Sequence, residues 1–153
     1  MHSRIIELSE KPIEVDERID ESEYYDNGFL DTIGDYVDED TDRTADIEWF
    51  AGCLKNKGVI TEFDTEKIVF STDAKEKFFR NKYETFKKLT SEITFEEFAE
   101  DSLCLYNIKK CINDKFGFYV HYAGCYYTLD NFIRNVVKDG DTWYIGGTLD
   151  YHC

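Results

Sequence analysis

Alternating apolar and polar side chains predict several short β-strands in this chain. Residues 59–64 and 67–71 alternate around the turn 64–66, which is the pattern of a β-hairpin. Further strands are predicted at residues 4–8, 118–122 and 142 to about 151. The last strand contains two adjacent glycines, Gly146 and Gly147, where a bulge or a bend is expected.

Apolar residues at helical spacing predict about five helices. They are expected at residues 22–37, 43–55, 73–89, 94–115 and in a short segment that begins at Thr128. Asp73 with Glu76, and Thr94 with Glu97, have the spacing of a capping box, which pairs side chains with free backbone N–H groups of the first turn. Because strands and helices do not alternate regularly, we expect a single α+β domain over residues 1–153, with a small, mostly antiparallel sheet and about five helices packed on it.

The two longest predicted helices each have an apolar face. In the helix at 73–89 this face consists of Phe79, Tyr83 and Phe86. In the helix at 94–115 the side chains expected to be buried are Phe98, Leu105, Ile108 and Ile112.

Length and composition fit one folded domain. The chain has 153 residues, of which 42% are hydrophobic and 16% aromatic, so it can bury enough apolar surface to fold. It has no apolar run long enough to span a membrane, and residues 1–7 lack the features of a secretion signal. The five cysteines, an odd number at irregular spacing, favour reduced thiols over disulfides. We therefore expect a cytoplasmic protein.

Negative charge is concentrated in the first third of the chain. Residues 1–50 contain 17 acidic and 4 basic side chains, a net charge of −13, whereas the remaining 103 residues contain 16 and 14, a net charge of −2. Such a segment repels the phosphates of nucleic acids and of anionic membranes, so neither is expected as a direct partner. A basic protein surface is the natural complement. The alternative is that the acidity serves only solubility.

The predicted helix at 22–37, with Ser22 as its N-cap, is the sharpest feature of the acidic region, which spans about 14–48. Its buried face is expected to hold Tyr25, Phe29, Leu30, Ile33, Tyr36 and Val37. Carboxylates form an outward stripe beside that face, and no lysine or arginine occurs in the helix. Carboxylates four residues apart rise about 6 Å along a helix, close to the separation of successive phosphates on a nucleic-acid strand. Tyr24 is expected to be exposed among these acids, where it can stack on an arginine.

In this charge pattern the chain resembles the acidic DNA-mimic inhibitors that phages and mobile elements use against restriction enzymes, CRISPR nucleases and other DNA-binding proteins. The resemblance lies in composition over residues 14–48 and involves no sequence motif. It implies a non-enzymatic inhibitor that binds the basic surface of a nucleic-acid-binding protein, without a cofactor. The predicted partner-binding residues are Glu23, Tyr24, Asp31, Asp35, Asp38, Glu39, Asp40 and Asp42. The oligomeric state is left open.

Metal sites have little support in the sequence. Asp38, Asp40 and Asp42 occupy the first, third and fifth positions of a calcium loop, but Arg43 replaces the glycine and Trp49 the glutamate that such a loop requires. The candidate zinc ligands are scattered and include no Cys-x-x-Cys motif: Cys104, Cys111, His121, Cys125, His152 and Cys153. Buried, unligated cysteines are the simpler interpretation.

The sequence is also compatible with two other functions. Cys125 with His121 as base and Asp130 as orienting group would make a small hydrolase, although the spacing is generic. A general interaction module would instead meet its partner through exposed aromatic residues near Tyr126 and Trp143.

Overall fold

A seven-stranded sheet forms the centre of the protein, whose computed structural model describes residues 1–153. The strands are β1 (His2–Ser9), β2 (Tyr36–Asp38), β3 (Ile60–Phe63), β4 (Lys67–Phe70), β5 (Tyr119–Tyr122), β6 (Cys125–Thr128) and β7 (Thr142–His152). Their order is β3-β4-β7-β1-β5-β6, and β2 pairs with the C-terminal part of β7. Only β1 and β5 pair in parallel. The predicted α+β class and mostly antiparallel sheet are confirmed.

Six α-helices and two 3₁₀ turns complete the fold. The helices are α1 (Phe29–Thr32), α2 (Arg43–Asn56), α3 (Ala74–Glu92), α4 (Phe95–Ala99), α5 (Leu103–Ile112) and α6 (Leu129–Asn135), and the 3₁₀ turns are Val15–Glu17 and Glu21–Tyr24. The helices predicted at 43–55, at 73–89 and after Thr128 are therefore confirmed. None of the helices is both long enough and apolar enough to cross a membrane.

The sheet has a different cover on each face. Side chains alternate along β1, so Ile6 and Leu8 face one core and Ile5 faces the other. Helices α2 and α6 and the start of α3 cover the first face. The N-terminal segment at 19–37 covers the second, where Tyr24, Phe29 and Val37 pack against the sheet. The acidic third of the chain thus forms a layer of its own.

The predicted bulge at Gly146 and Gly147 is present. Leu8 pairs with Ile145 and Ile6 with Thr148, so both glycines lie opposite the single residue Glu7. A side chain does not fit at either position, because a Cβ on Gly146 would lie 2.0 Å from the Glu7 carboxylate. A Cβ on Gly147 would lie 2.8 Å from the carbonyl oxygen of Ile19.

The single helix predicted at 22–37 is wrong. The segment forms a 3₁₀ turn, the one-turn helix α1 and strand β2. Gly28 adopts φ +82, which interrupts the helix, and the Asn27 side chain accepts a hydrogen bond from the N–H of Phe29 at 3.0 Å. Asp20, rather than Ser22, caps the first turn. The segment buries its apolar side chains on the sheet instead of forming a helix. Repulsion between carboxylates at helical spacing would weaken such a helix.

The helix predicted at 94–115 is divided into α4 and α5. The predicted Thr94–Glu97 capping box is formed, but the helix ends at Ala99 and Ser102 caps a new one. Phe98 and Ile112, predicted to be buried, are exposed. The predicted Asp73–Glu76 capping box is absent. Strands β2 and β6 were not predicted.

Candidate functional site: the acidic strap

The segment from Glu10 to Asp42, here called the acidic strap, connects β1 to α2 and covers the second face of the sheet with its middle part. It contains 14 Asp and Glu residues but only two cations, Lys11 and Arg18. Twelve of the 14 acids are exposed, and the other two, Glu21 and Asp38, are partly exposed. The carboxylates therefore lie on the outer surface of the layer.

Cations from the rest of the molecule do not neutralise these carboxylates. No lysine or arginine forms a salt bridge with any acid of the strap. Arg18 reaches out of the strap, to Glu66 at 3.9 Å. Helix α3 carries six lysines and arginines against three glutamates, and Arg80 pairs within it with Glu76 at 2.7 Å. The strap consequently presents uncompensated negative charge.

The structure places the predicted partner-binding acids on the surface but not in one row. Glu23, Asp31, Asp35, Glu39, Asp40 and Asp42 are exposed, and Asp38 is partly exposed. They are distributed over the 3₁₀ turn at 21–24, α1, β2 and the connection to α2. The predicted helical stripe, with its regular rise per four residues, is therefore wrong.

Some strap carboxylates are engaged in local structure. Asp38 accepts a hydrogen bond from the N–H of Asp40 at 2.8 Å, and Asp42 caps α2 by accepting from the N–H of Ala45 at 3.1 Å. Asp35 contacts His152 Nδ1 at 2.8 Å, and this hydrogen bond lowers the pKa of the Asp35 carboxyl. Seven other acids make no side-chain hydrogen bond and are free to meet a partner: Glu14, Asp16, Glu17, Glu23, Asp26, Asp31 and Asp40.

Tyr24 holds the middle of the strap against the sheet. It is fully buried, and its hydroxyl lies 3.0 Å from Nδ1 of His121. Burial raises the pKa of Tyr24 and lowers the pKa of His121, so both groups are neutral at pH 7. The ring packs edge-on against Phe29, with centroids 5.1 Å apart. The prediction that Tyr24 is exposed and stacks on an arginine is therefore wrong.

Glu7 provides a second attachment. It is 9% exposed, and one carboxylate oxygen accepts hydrogen bonds from the N–H groups of Ile19 at 3.0 Å and Gly147 at 2.7 Å. One side chain thereby joins the strap, β1 and the β7 bulge. The sequence predicted the bulge but not its partner. A glutamate within the apolar strand 4–8 is the signal that points to such a buried role.

The Cys125–His121–Asp130 arrangement is not formed. His121 is opposite Tyr126 and Cys125 is opposite Tyr122, so the His121 and Cys125 side chains point to opposite faces of the sheet. Asp130 instead pairs with Lys82 and accepts a hydrogen bond from the N–H of Asp114 at 3.0 Å.

The candidate metal ligands do not converge. The five cysteines are unpaired, and no three side chains of His, Cys, Asp or Glu are grouped so that they could hold a metal ion.

Of the two aromatic residues named for the alternative interaction module, Trp143 is buried and Tyr126 is partly exposed. Trp143 is 1% exposed and packs against Tyr122 and Phe132, with ring centroids 5.0 Å away in each case. Tyr126 is half-buried against Phe29 at 5.2 Å. Trp143 belongs to the first core, and Tyr126 packs against the second while keeping part of its side chain exposed.

A surface of exposed carboxylates attracts lysine and arginine side chains and repels phosphates. It speeds the encounter with a cationic surface and makes binding depend on salt. No protein-family model, curated protein or solved structure matches the chain.

Proposed function

We propose that the chain is a non-enzymatic binding protein whose acidic strap occupies a basic surface on a partner, specifically the surface with which that partner binds nucleic acid. The observation that carries the proposal is the set of 14 strap carboxylates, 12 of them exposed and none in a salt bridge with lysine or arginine. A cytoplasmic location fits a partner of this kind.

Stability does not account for this surface. Neighbouring like charges repel, and on a surface that serves only solubility both signs are usually interspersed, as they are on α3. The unpaired carboxylates are favourably placed for binding a partner that supplies lysines and arginines. The lysines and arginines with which a protein binds nucleic-acid phosphates have the positive charge, and lie close enough together, to pair with these carboxylates.

The density and the fixed position of the carboxylates support the proposal, whereas a regular phosphate-like spacing does not. The strap is attached to the sheet through Tyr24 and Glu7, so its backbone is already ordered. A preordered surface loses less conformational entropy on binding than a flexible acidic tail would.

Capture of partners at low and at high salt tests the proposal. The immobilised protein is exposed to a lysate of the source cells or their host, and the retained proteins are eluted with double-stranded DNA, then with salt, and identified. We expect nucleic-acid-binding proteins to be eluted by both treatments, since DNA competes for the same cationic surface. Retained proteins that resist both high salt and DNA would contradict the proposal.

A charge-neutral variant assigns the binding to the strap. Glu23→Gln, Asp26→Asn and Asp31→Asn change three exposed carboxylates that make no side-chain hydrogen bond. The combined variant is expected to fold normally and to lose most of the salt-sensitive capture.

The matched control removes three exposed carboxylates elsewhere: Glu48→Gln, Glu62→Gln and Glu84→Gln. It makes the net charge less negative by the same amount, and we expect it to capture partners as the unchanged protein does. Equal loss in both variants would mean that overall charge, rather than the strap, attracts the partner.

A further inference from the structure

Helices α4 and α5 form an arm that contributes little to either core. We define the helical arm as residues 89–112, which include the end of α3. The two buried residues of α3, Ala74 and Phe78, lie near its start, α4 has no buried residue, and α5 has only Ile108. The arm is therefore attached through α3 rather than built into the sheet.

Large apolar side chains are exposed on this arm. Phe95 is 78% exposed, Phe98 65%, Leu103 74% and Tyr106 44%. Phe95 and Phe98 are three residues apart on α4, and Leu103 and Tyr106 are three apart on α5, so each pair shares a helix face. Single exposed apolar residues are ordinary, but four within 12 positions of two adjoining helices indicate a contact surface.

Acids surround these side chains except at the end of α5, where Lys109 and Lys110 are exposed and Lys110 lies 3.9 Å from Asp114. Residues 89–108 contain five acids and no lysine or arginine. Glu92, Glu96, Glu100 and Asp101 are exposed, and neither they nor Glu97 form a salt bridge. An apolar surface with an acidic rim complements an apolar surface with a basic rim.

We propose that the helical arm binds an amphipathic helix of a partner protein, whose apolar face meets Phe95, Phe98, Leu103 and Tyr106 and whose flanking lysines and arginines meet the acidic rim. A helix that lays its apolar face on such a surface uses a few large side chains as anchors. The acidic rim disfavours an anionic membrane and an acidic peptide. The arm is separate in sequence from the strap, so this inference does not depend on the proposed function.

The experiment uses the full-length protein and a synthetic amphipathic helix of leucine and lysine as the probe. Two comparison peptides are a scrambled sequence of the same composition and an amphipathic helix of leucine and glutamate. We expect the leucine–lysine helix to bind most tightly, the scrambled peptide to bind weakly because it has no apolar face, and the leucine–glutamate helix not to bind.

Variants locate the binding surface. Phe95→Ser with Leu103→Ser is expected to weaken binding of the leucine–lysine helix by about tenfold or more. Because both side chains are exposed, the thermal unfolding midpoint should change little. Glu96→Lys with Glu100→Lys leaves the apolar anchors intact and is expected to weaken the same peptide and to permit binding of the leucine–glutamate helix. Val15→Ser, which changes a 73% exposed side chain of the strap, is the matched control and should have no effect.

Three results would overturn the inference. One is loss of peptide binding in the Glu23→Gln, Asp26→Asn, Asp31→Asn variant with full binding by the arm variants, since the lysines would then be held by the strap. Another is a dimer in sedimentation that Phe95→Ser with Leu103→Ser dissociates, because a second copy would then cover the arm. The third is binding to phosphatidylserine-containing vesicles that the same double variant abolishes.

Discussion

The buried pair of Tyr24 and His121 holds the strap in a fixed position on the sheet. The two side chains meet in the interior at 3.0 Å, and each is the side-chain partner of the other. A buried polar group that loses its only partner is costly, whereas the intact pair adds little beyond the packing of the rings. The pair therefore specifies one position of the strap.

Tyr24→Phe removes the hydroxyl while keeping the ring. We expect a loss of about 1 to 3 kcal/mol in the free energy of unfolding, because His121 Nδ1 is left buried without a partner. Urea unfolding of both proteins measures the loss. Tyr25→Phe is the control: Tyr25 is 55% exposed, so removal of its hydroxyl should have little effect. Equal stability of Tyr24→Phe and the unchanged protein would show that the hydrogen bond does not hold the strap.

The buried position of His121 also predicts a dependence of stability on pH. Burial lowers the pKa of this imidazole below its ordinary value of 6.5. As the pH falls below about 6.5, the unfolded chain therefore takes up a proton before the folded protein does. The free energy of unfolding should decrease over that range and gain nothing from this group above it.

The contribution of His121 is isolated by His121→Gln, which does not titrate. The difference in unfolding free energy between the unchanged protein and this variant should shrink as the pH is lowered from 7 toward 5. A difference that is constant with pH would contradict the assigned burial.

At the level of elements, the chain was most predictable where local pattern and tertiary packing favour the same structure. Helix α2 begins at a capping aspartate, Asp42, and its apolar residues at helical spacing are buried, so the sequence located it within one residue. The β3–β4 hairpin forms around the predicted turn, and β4 follows its alternating pattern, whereas the register of β3 shifts between Ile60 and Glu62. Helix α2 and strand β4 each bury against the core the apolar side that their sequence pattern predicts.

The strap was mispredicted because its apolar residues fit two patterns. Phe29 and Val37 match a helical face in sequence, yet they reach the sheet from two different short elements. Tyr24, which lies outside that face, is buried from a third. Gly28, with φ +82, is the residue that distinguishes the two cases, and its conformation is not visible in the periodicity. Phe98 was predicted to be buried but is exposed, because apolar spacing indicates that a helix has an apolar face and not whether another element covers that face.

Two glycine-to-alanine substitutions, one in the β7 bulge and one inside α2, are expected to have opposite effects on stability. Gly146→Ala places a methyl group against Glu7, displacing a carboxylate that binds two N–H groups, and should cost about 2 kcal/mol of stability. Gly52→Ala is the matched control. Gly52 lies inside α2 with no atom within 4 Å of its added Cβ, so the substitution should stabilise the protein by about 0.5 to 1 kcal/mol. Thermal unfolding midpoints of the two variants that move in the same direction would contradict this description of the bulge.

The two layers that cover the faces of the sheet differ in charge. The acidic strap lies on one face of the sheet, and helices with balanced or basic composition lie on the other. The sequence predicted that negative charge is concentrated in the first third of the chain, because charges can be counted without knowing the fold. It did not predict the face or the backbone that presents the acids, since those depend on which distant strands pair. The proposed contact with a basic partner is therefore made by the acidic strap as a layer on the sheet, and not by the single helix predicted at 22–37.

Carboxylate footprinting of the complex with a captured partner tests that contact most directly. Exposed carboxyl groups are coupled to a neutral amine with a carbodiimide, and the extent of modification at each residue is read by mass spectrometry with and without the partner. We expect strong protection of Glu23, Asp26 and Asp31 in the complex and unchanged modification of Glu48 and Glu62. Strap carboxylates that react in the complex as fast as in the free protein would contradict the proposed contact.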